Sequence, residues 1–556
     1  MHQALQADLT LKPHLPHTPK PIIWVIAGHD SGGGAGLSAD QRAAAALGVH
    51  ACPVVAAITA QNSVAVQRIE ASSPALLEAQ LQALAQDMPP AAIKTGMLAD
   101  PALVRVVARW VDRLREQAPH LPLVVDPVLR ASTGAALCSA NAADALIHAL
   151  RTELLPRATL ITPNQAEATA LLGSQAHGTD TTSVEQQAQA LAATGCSVVI
   201  TGGDAVDGAG QSTHARDYLL CREASGWLSL PRVDTPHHHG TGCTFASAAA
   251  SALALGYPVA DAVVLAKMLT THALRHSYAA GAGAGPLLPR ADFARLENLP
   301  TLSLPWQNSL SSAVPTMAPL TGAQRTLGLY AIVDSADWVE RVLAAGVRTV
   351  QLRMKTSAPE DLPTLRSHIQ RSVQAVNKHN ATQAAGAQLY INDHWQLALE
   401  AGAFGVHLGQ EDLLALPDSA WAAMAAAGLR VGISTHSLWE VCRAWTLQPS
   451  YIACGPIHAT QSKDMPWLPQ GNGNLAFWSQ LLPVPVVGIA GMDAPRLQEA
   501  VRHGAAGVAL ISAITAAPEP EAAIAELQAA WEQGLRLREL QATPSPLLPR
   551  STLQHR

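Results

Sequence analysis

The sequence predicts two α/β domains in one chain, an open α/β sheet followed by a (β/α)8 barrel. Its length of 556 residues is several times that of a usual domain, so at least two separate hydrophobic cores are expected. Short apolar runs of the strand type alternate with alanine-rich helical segments in both halves. These runs are spaced irregularly in the first half and regularly in the second, which distinguishes an open sheet from a closed barrel.

Composition and charge favour a compact protein that acts on small molecules. Hydrophobic residues make up 48% of the chain and charged residues 14%, which leaves little material for a long disordered arm. The net charge of −6 comes without a block of Lys or Arg, so neither nucleic acid nor an anionic membrane is an expected partner. No apolar run reaches the ~18 residues that span a bilayer. Small-molecule substrates are therefore expected, and a homo-oligomer is compatible with the sequence.

The cysteines indicate a reducing compartment. There are 7, an odd number, and none of them form a C-x-x-C pair, so neither a disulfide framework nor a zinc cage is expected. The first residues lack the pattern of a secretory signal peptide. We therefore expect a soluble, cytoplasmic protein.

The first half begins with a polar, proline-rich stretch, residues 1–20, which we expect to be a flexible tail. The first domain is expected over residues 21–295. Within Arg216–Val233 a polar Glu-Ala-Ser-Gly turn separates two apolar runs, the pattern of an antiparallel hairpin that closes one edge of a sheet. The remaining runs favour an open α/β sheet. They are Ile22–Ala27, Val54–Ile58, Ala92–Lys94, Leu123–Asp126, Leu160–Thr162 and Val198–Thr201.

The second half is expected to form a (β/α)8 TIM barrel after a linker. Residues 296–325 contain scattered prolines and serines without a helical or strand period, which predicts the linker. The barrel is expected over residues 326–535, and a second tail over residues 536–556. In such a barrel the functional side chains lie where strands end and loops begin. The strand-like runs are Leu327–Asp334, Thr349–Leu352, Leu389–Asn392, Gly405–Leu408, Val431–Ser434, Tyr451–Gly455, Val486–Ile489 and Gly507–Ile511.

Glycines cluster twice in the first half. The first cluster spans residues 28–36, and the second spans residues 240–244 and opens a long helix of small residues. Glycines that lead into a helix expose free N–H groups and the positive end of the helix dipole, which suits a phosphate group. A tight turn is an equally frequent reason for such a cluster. The chain lacks both the G-x-x-x-x-G-K-[ST] loop and the G-x-G-x-x-G register, so any nucleotide site has a different design.

Cys243 follows the second glycine cluster, in the expected first turn of a helix. The helix dipole favours a thiolate there, which would suit a catalytic base. Packing as a small buried residue is the more common role of a lone cysteine. The neighbouring histidines, residues 237–239, lack the spaced partners of a zinc site, and we interpret them as part of a lid or linker.

Several short motifs follow one another through residues 21–290. They are AGHDSGGGAGLSAD at 27–40, TAQNS at 59–63, KTGML at 94–98, DPV at 126–128, TPN at 162–164 with Glu167, and HGTGCT at 239–244. Together they make this half resemble the hydroxymethylpyrimidine and phosphomethylpyrimidine kinases of the ribokinase-like fold. The resemblance implies phosphorylation of a hydroxymethyl group and then of its monophosphate, with ATP and Mg²⁺.

The kinase resemblance implies roles for individual residues. Cys243 would be the general base at the acceptor oxygen, and phosphoryl transfer would depend on positioning and charge neutralisation. Thr201 departs from the pattern, because many relatives carry a lysine before the paired glycines, and a charge on the phosphates is therefore missing. The implied pyrimidine-binding residues are Ala35, Asp40, Thr59, Gln61 and Met97, and the implied phosphate or nucleotide residues are Asn164, Glu167, Gly240, Thr241 and Gly242.

Polar residues also mark the strand ends of the second half. Gln351, Arg353 and Lys355 alternate, so on a strand they would share one face. Buried cations need an anion, which predicts an anionic substrate, and a solvated edge is the alternative. Asp393 and Asp412 follow neighbouring runs, and carboxylates beside cations suggest Mg²⁺ that also binds substrate phosphates. Either aspartate alone could equally cap a helix, which is the commoner role.

These residues belong to motifs spread over the barrel, namely Q-x-R-x-K, N-D, H-x-G-Q-E-D, G-P-I with a T-Q-S-K loop, and I-S. Residues 327–530 resemble thiamin-phosphate synthase, with Ala490 in place of a common glycine and Ser462 in place of a common threonine. The resemblance implies that Asp393 and Asp412 hold Mg²⁺, and that departing pyrophosphate leaves a cation captured by a thiazole nitrogen. The implied pyrimidine diphosphate residues are Gln351, Arg353, Lys355, Asn392, Ser434 and Lys463, and the implied thiazole phosphate residues are Thr460, Gln461, Ser462, Gly491, Ile511 and Ser512.

The two resemblances join into one reaction sequence, because the diphosphate that the first family makes is the substrate of the second. We therefore expect a bifunctional enzyme of thiamin biosynthesis. One alternative is that the kinase half prefers a pyridoxal-type alcohol, which Thr201 leaves open. Another is that one half is a non-catalytic binding module, such as a pyrimidine sensor.

Overall fold

The computed structural model of the chain describes ten stretches, which form an open-sheet domain and a closed barrel. Within these stretches no helix combines the length and the apolar character needed to cross a membrane. The described residues are 19–129, 140–173, 183–203, 206–207, 210–307, 314–354, 359–383, 386–459, 467–540 and 546–552.

The first domain is built on a ten-stranded sheet. Six central strands run parallel, and antiparallel strands flank them on both sides. In spatial order the strands are β12 (Thr301–Leu302), β11 (Ser225–Pro231), β10 (His214–Leu220), β7 (Ser197–Thr201), β6 (Leu160–Ile161), β5 (Leu123–Val125), β4 (Ala92–Thr95), β1 (Ile22–Asp30), β2 (His50–Gln61) and β3 (Val66–Ala71). A separate small hairpin pairs β8 (Val206–Asp207) with β9 (Gly210–Gln211).

Strand β1 shows that the sheet is buried on both faces. Ile23, Val25 and Ala27 belong to one apolar cluster, whereas Trp24 and Ile26 belong to another. Side chains alternate along a strand, so the two clusters lie on opposite faces, where helices cover them. The helices of this domain are α1 (Gly36–Ala46), α2 (Pro74–Asp87), α3 (Pro101–Arg115), α4 (Ala140–Ala149), α5 (Gln165–Leu172), α6 (Val184–Ala192), α7 (Thr241–Ala254) and α8 (Val259–Arg275).

The open-sheet prediction is confirmed, and the structure adds two strands to it. All the strand-like runs of the first half are strands, and Arg216–Val233 contains the antiparallel pair β10 and β11. The sequence pattern does not predict β3, because VQRIEA is polar and lies largely exposed at a sheet edge. Strand β12 arises from the segment expected to be a linker and pairs with β11, so the hairpin is not the outermost element. Its two residues are too few to show a period.

The second domain is a closed barrel of parallel strands, as predicted. Each strand pairs with the next one, and the last pairs with the first, so all the strand C-termini meet at one rim. The strands are β13 (Gly328–Val333), β14 (Thr349–Leu352), β15 (Gln388–Asn392), β16 (Gly405–Leu408), β17 (Arg430–Thr435), β18 (Tyr451–Cys454), β19 (Val486–Ile489) and β20 (Gly507–Leu510). The helices are α9 (Ala336–Ala344), α10 (Leu362–Thr382), α11 (Trp395–Ala401), α12 (Gln410–Ala415), α13 (Asp418–Ala426), α14 (Leu438–Thr446), α15 (Gly471–Leu481), α16 (Ala494–Arg502), α17 (Ser512–Thr515) and α18 (Pro520–Leu540).

Helix α14 joins the barrel to the first domain. Its Trp439 is buried in the apolar cluster that also contains Leu302 of β12. The N–H of Leu302 donates to Thr446 Oγ1 at 2.9 Å, and the N–H of Trp439 donates to Asp261 Oδ1, in the first turn of α8, at 2.8 Å. Strand β12, which belongs to the segment between the domains, is therefore packed against both of them.

Asp261 should make the stability of this interface depend on pH. Burial raises the pKa of its carboxyl to about 7, although hydrogen bonds from the amides of Trp439 and Leu438 lower it. Because the folded pKa lies above the unfolded value, stability is highest at low pH and falls as the pH rises from about 4 to about 7. Asp261→Asn keeps an acceptor oxygen without the charge. We expect this variant to unfold at a higher temperature than wild type at about pH 8, and this advantage to shrink toward about pH 5.

The test of this prediction is thermal unfolding of both proteins across that range. Asp418→Asn, which changes an exposed aspartate of α13, serves as the control and should track wild type at every pH. A constant difference between Asp261→Asn and wild type at all pH values would contradict the prediction.

Residues 546–552, which we name the C-terminal strap, fold back onto the body of the protein. They fall within the tail expected over 536–556, but Thr552 is only 3% exposed. The hydroxyl of Tyr257, just before α8, donates to the carbonyl oxygen of Pro549. Prolines prevent a helix here but do not prevent packing, so the strap differs from a free tail.

Candidate active sites

The first glycine cluster wraps around the carboxylate of Asp30, the last residue of β1. Its Oδ1 accepts the N–H of Gly32 at 2.8 Å, and its Oδ2 accepts the N–H groups of Gly34 at 3.0 Å and Ala35 at 2.9 Å. Burial acts to raise the pKa of Asp30, but hydrogen bonds from His239, Ala35 and Gly32 outweigh it, so the pKa is lowered. Asp30 therefore stays ionised and fixes the loop.

His239 joins the two glycine clusters. Its Nε2 lies 2.9 Å from Asp30 Oδ2 and 3.3 Å from Gln61 Nε2. A side chain at Gly34 would overlap the His239 ring, and one at Gly240, where φ is +89°, would overlap the Gly34 carbonyl oxygen. Close packing of two loops therefore requires both glycines. The lid or linker interpretation does not hold for His239, which belongs to the centre of the site.

Cys243 lies in the first turn of α7, where backbone N–H groups have no partner within the helix. The residue is partly exposed. Burial raises the pKa of its thiol to about 12, while Lys94 and a hydrogen bond with Gly36 oppose this rise. The thiol is therefore protonated at neutral pH, contrary to the thiolate that the helix dipole led us to expect.

A fully buried cluster of charges interacts with Cys243. Lys94 Nζ lies 2.8 Å from Asp40 Oδ1 and 3.9 Å from Asp126 Oδ2. The Ser247 hydroxyl donates to the same Asp40 oxygen at 2.7 Å. Burial raises the pKa of Asp126, and the charge of Lys94 opposes this effect. Asp40 is 0% exposed, and its Oδ1 holds Lys94, whereas its Oδ2 has no hydrogen-bond partner among the described residues, so its contact with a pyrimidine stays a prediction.

The other residues predicted to bind the pyrimidine meet at one edge of the sheet. Thr59 Oγ1, in β2, donates to the His29 carbonyl oxygen at 3.0 Å. Gln61, at the end of β2, contacts His239 and is half-buried. Met97 follows β4, and its methyl group occupies the space that a side chain at Gly28 would fill. With Ala35 at the start of α1, these side chains surround the first glycine cluster.

Asn164 and Glu167 cap helix α5. Asn164 Oδ1 accepts the Glu167 N–H at 2.9 Å, and Glu167 Oε2 accepts the Asn164 N–H at 3.0 Å. Asn164 also forms a backbone bridge with Thr201, so both lie at the same sheet edge. Near Thr201, Lys267 Nζ lies 2.8 Å from Asp217 Oδ2, and Asp217 pairs with Thr201 across the strands. The charge of Lys267 is therefore already neutralised by a carboxylate.

In the barrel, a chain of hydrogen bonds runs through the interior to Ser434 of β17. Tyr330 and Tyr451 join their hydroxyls at 2.6 Å, Tyr451 Oη lies 2.8 Å from His407 Nδ1, and His407 Nε2 lies 2.8 Å from Ser434 Oγ. Burial and, less strongly, the charge of Arg353 lower the pKa of His407 to about 4. A neutral ring donates at one nitrogen and accepts at the other, so this chain holds Ser434 in a fixed orientation.

Gln351 and Asn392 lie together inside the rim. Gln351, 3% exposed, donates from Nε2 to Asn392 Oδ1 at 2.7 Å. Strand β14 ends at Leu352, so Arg353 lies beyond the strand and is exposed. The charge of Arg353 lowers the pKa of His407 inside the barrel, and the predicted alternation of Gln351 and Arg353 on one face stays a prediction. Lys355 lies outside the described residues.

Asp393 and Asp412 follow β15 and β16. Burial raises the pKa of both carboxyls, and the charge of Asp412 raises the pKa of Asp393 further. Asp412 Oδ2 also accepts the Gly409 N–H at 2.8 Å, so it caps α12 as well. Asp393 is exposed and Asp412 is half-buried, and two such neighbouring carboxylates fit Mg²⁺, which takes its remaining ligands from water and phosphate oxygens. In the part of the chain that the structure describes, no cluster of three or more His, Cys, Asp or Glu side chains could form a protein-only metal site.

The residues predicted to bind the thiazole phosphate are described only in part. Gly491 follows β19 with φ of +67°, and a side chain there would crowd the Ala459 carbonyl oxygen. Ala490 before it has φ of +82°, a conformation that favours glycine. Ile511 lies between β20 and α17, and Ser512 is the first residue of α17. Thr460, Gln461, Ser462 and Lys463 lie outside the described residues.

Comparison with known families identifies the two domains. Residues 30–288 match the phosphomethylpyrimidine kinase family, and residues 329–514 match the thiamine monophosphate synthase family. The fold and the sites thus define an enzyme in which a ribokinase-like kinase is joined to a TIM-barrel synthase. The chain is 32% identical over 511 residues to a chloroplastic thiamine biosynthetic bifunctional enzyme of Oryza sativa subsp. japonica, a match that covers 89% of this chain and 86% of that protein. The chain belongs to this family of bifunctional thiamine biosynthetic enzymes.

Each half also matches a single-function relative. The hydroxymethylpyrimidine/phosphomethylpyrimidine kinase of Synechococcus elongatus is 40% identical over 267 residues, covering 48% of this chain and 96% of that kinase. The thiamine-phosphate synthase of Neisseria meningitidis serogroup A is 46% identical over 208 residues, covering 37% of this chain and 95% of that synthase. Both family predictions from the sequence motifs are therefore confirmed.

Sequence reasoning missed several residues that organise these sites. Asp30 and Lys94 lie within quoted motifs, yet neither was assigned a role, because their partners are distant in sequence. His407 likewise belongs to the H-x-G-Q-E-D motif, in which only the carboxylate of Asp412 was assigned a role. A polar residue that ends a buried strand, such as Asp30, is the signal that could have identified it.

Proposed function

We propose that this chain makes thiamin phosphate in successive reactions at two sites. The first domain transfers phosphate from ATP to 4-amino-5-hydroxymethyl-2-methylpyrimidine and then to its monophosphate. The barrel couples the resulting diphosphate to thiazole phosphate and releases pyrophosphate. The observation that carries this proposal is that families whose reactions share the diphosphate match successive parts of one chain.

The kinase site supports phosphoryl transfer by charge neutralisation. The free N–H groups at Thr241, Gly242 and Cys243, which begin α7, are suited to bind phosphate oxygens. The Cys243 thiol, in the same turn, would take the proton of the acceptor hydroxyl. Asn164 and Glu167 would lie near the nucleotide phosphates and their Mg²⁺.

Lys94 would support Cys243 from the protein interior. It is the cation that lowers the thiol pKa, so it stabilises the thiolate form of the base. Asp40 and Asp126 hold the ammonium in place. Asp40 would hold Lys94 through Oδ1 and, with Gln61 and its neighbours, recognise the pyrimidine through Oδ2, which has no hydrogen-bond partner in the described part of the chain.

The synthase site supports departure of a diphosphate. Asp393 and Asp412 would hold Mg²⁺, which supplies positive charge to the leaving group when bound. Arg353, exposed at the rim, adds a second cation. Gln351 presents its amide inside the barrel, and the neutral His407 holds Ser434 toward the pyrimidine ring. We further propose a reducing, cytoplasmic setting, because the described cysteines are free thiols.

The test is incubation of the purified chain with the hydroxymethyl pyrimidine, thiazole phosphate, ATP and Mg²⁺, followed by mass spectrometry. Thiamin phosphate formed from these inputs would support both activities. Product formed only when the pyrimidine diphosphate is supplied would contradict the kinase assignment. A second assay supplies pyridoxal in place of the pyrimidine and compares the two rates of phosphorylation. Faster phosphorylation of pyridoxal would overturn the pyrimidine assignment.

Changing either carboxylate of the barrel should affect the metal requirement of coupling alone. Asp393→Asn and Asp412→Asn each remove one negative charge from the pair, so we expect the Mg²⁺ concentration for half-maximal coupling to rise about tenfold. Kinase activity should stay unchanged. The measurement is a Mg²⁺ titration of coupling from supplied diphosphate, with Asp418→Asn, an exposed aspartate of α13, as the control. A titration that coincides with wild type for both variants would count against the metal site.

A further inference from the structure

The C-terminal strap is bound to the barrel close to the synthase site. The N–H of Arg550 donates to Asn474 Oδ1 at 2.7 Å, and Asn474 Nδ2, in α15, donates to the Arg550 carbonyl oxygen at 3.0 Å. The Arg550 guanidinium donates to the carbonyl oxygens of Gln470, at 3.0 Å, and Pro469. Arg550 thus uses both its backbone and its side chain to hold α15 and the segment that leads into it.

Gln470 extends this contact to the ends of two barrel strands. Its side chain is 3% exposed, and Nε2 donates to the carbonyl oxygens of Gly455 at 2.9 Å and Thr435 at 3.4 Å. Gly455 follows β18 directly, and Thr435 is the last residue of β17. Thr435 is also the neighbour of Ser434. A displacement of Gln470 would therefore move the strand end that carries Ser434.

Thr552 holds the turn that follows β17. Its hydroxyl donates to the His436 carbonyl oxygen at 2.6 Å, and its carbonyl oxygen accepts the N–H of Leu468 at 2.8 Å. The His436 ring stacks on Trp467, with ring centroids 5.3 Å apart and planes 9° from parallel. His436 lies two residues beyond Ser434, so the strap constrains this strand end from a second direction.

We propose that Arg550 and Thr552 are positioning residues for the coupling reaction. The strap fixes the ends of β17 and β18, and with them Ser434, in the geometry that the two phosphate-bearing substrates require. Neither residue belongs to the sites assigned by resemblance, and each acts through a neighbour, Gln470 or His436. This inference rests on the proposed synthase function of the barrel.

The experiment compares Arg550→Ala and Thr552→Val with wild type in the full-length protein. Thr552→Val keeps the volume of the side chain and removes only its hydroxyl. Arg538→Ala, which removes an exposed arginine of α18, is the matched control. Each protein is assayed for coupling of supplied pyrimidine diphosphate to thiazole phosphate, for kinase activity, and for its midpoint of thermal unfolding.

We expect kcat/KM for coupling to fall at least about tenfold in Arg550→Ala, mainly through a higher KM, because misplacement of a site by about 1 Å is costly. Kinase activity should be unchanged, and Arg550→Lys should recover part of the loss, since lysine keeps a donor but not the paired geometry. Coupling kinetics equal to wild type in both variants would overturn the inference. A parallel loss of coupling, kinase activity and unfolding midpoint would also overturn it, because that pattern reports a purely structural role. If wild type itself fails to couple, the proposed function fails, which is distinguishable from failure of the variants alone.

Discussion

Cys243→Ala is expected to abolish phosphorylation of the pyrimidine while leaving coupling of supplied diphosphate unchanged. A positioned general base contributes about 10²–10⁴-fold to a rate, so we expect the kinase to lose at least about 100-fold. The thiol lies in the first turn of α7, beside the N–H groups that would bind phosphate, and the barrel site lies in a separate domain. The measurement is product formation by mass spectrometry from each substrate with one protein preparation. Cys221→Ala, which changes another partly exposed cysteine, should behave as wild type.

The pH dependence of the kinase provides an independent check on Cys243. Burial raises the pKa of this thiol to about 12, so the thiolate fraction grows about tenfold for each pH unit below that value. We expect kcat/KM for phosphorylation to rise through the neutral and mildly alkaline range without a plateau. A plateau near about pH 7 would show that the pKa of the base in the working enzyme lies well below about 12, and wild-type rates in Cys243→Ala would exclude the thiol as the base.

Lys94→Met should strongly destabilise the first domain. Lys94 is completely buried and pairs with Asp40 at 2.8 Å and with Asp126 at 3.9 Å. Removing the cation leaves two carboxylates facing one another in the core, and breaking a buried pair costs about 3–5 kcal/mol. For a domain of this size we expect the unfolding midpoint to fall by roughly 10 °C, measured by calorimetry.

The double variant Lys94→Met with Asp40→Asn is the control for this cluster. It removes one of the two carboxylates that lost their partner, so it should recover part of the stability. The deficit of the single variant should also grow as the pH rises, because burial raises the pKa of Asp126 and the variant lacks the charge of Lys94 that opposes this rise. A midpoint within about 2 °C of wild type at alkaline pH would show that the pair contributes little.

The barrel could be predicted almost completely from the sequence, because each of its strands is a short apolar run bounded by helical segments. The same reasoning identified the parallel strands of the open sheet. It did not identify β12, whose two residues gain their order from pairing with β11 and from the hydrogen bond between Leu302 and Thr446. It also treated the strap as a tail, because contacts made by isolated residues such as Thr552 leave no periodic pattern.

The candidate sites were predictable as sets of residues but not as arrangements. The motifs assigned Gln61 and Cys243 to a site in the first half, and Asp393 and Asp412 to a site in the second. They identified Asp40 as a site residue but not its buried pair with Lys94, which lies 54 positions away in sequence. The pairing of Asp30 with His239 joins residues that are 209 positions apart, so no local signal could reveal it. The partners of charged residues thus depend on tertiary contacts, whereas the positions of strands and helices depend more on local sequence.

The packing of α14 between the domains bears on how this protein could be divided by engineering. The two halves resemble separate enzymes joined by a tether, but a cut between residues 307 and 314 would not release two self-sufficient modules. The barrel fragment would carry the uncovered face of Trp439, and the kinase fragment would carry β12 and Asp261 without the helix they bind. The strap would likewise lose Tyr257. Isolating one activity therefore requires a redesigned polar surface on α14 as well as a new terminus. Without that redesign, we expect the two fragments to associate with each other through the same contacts.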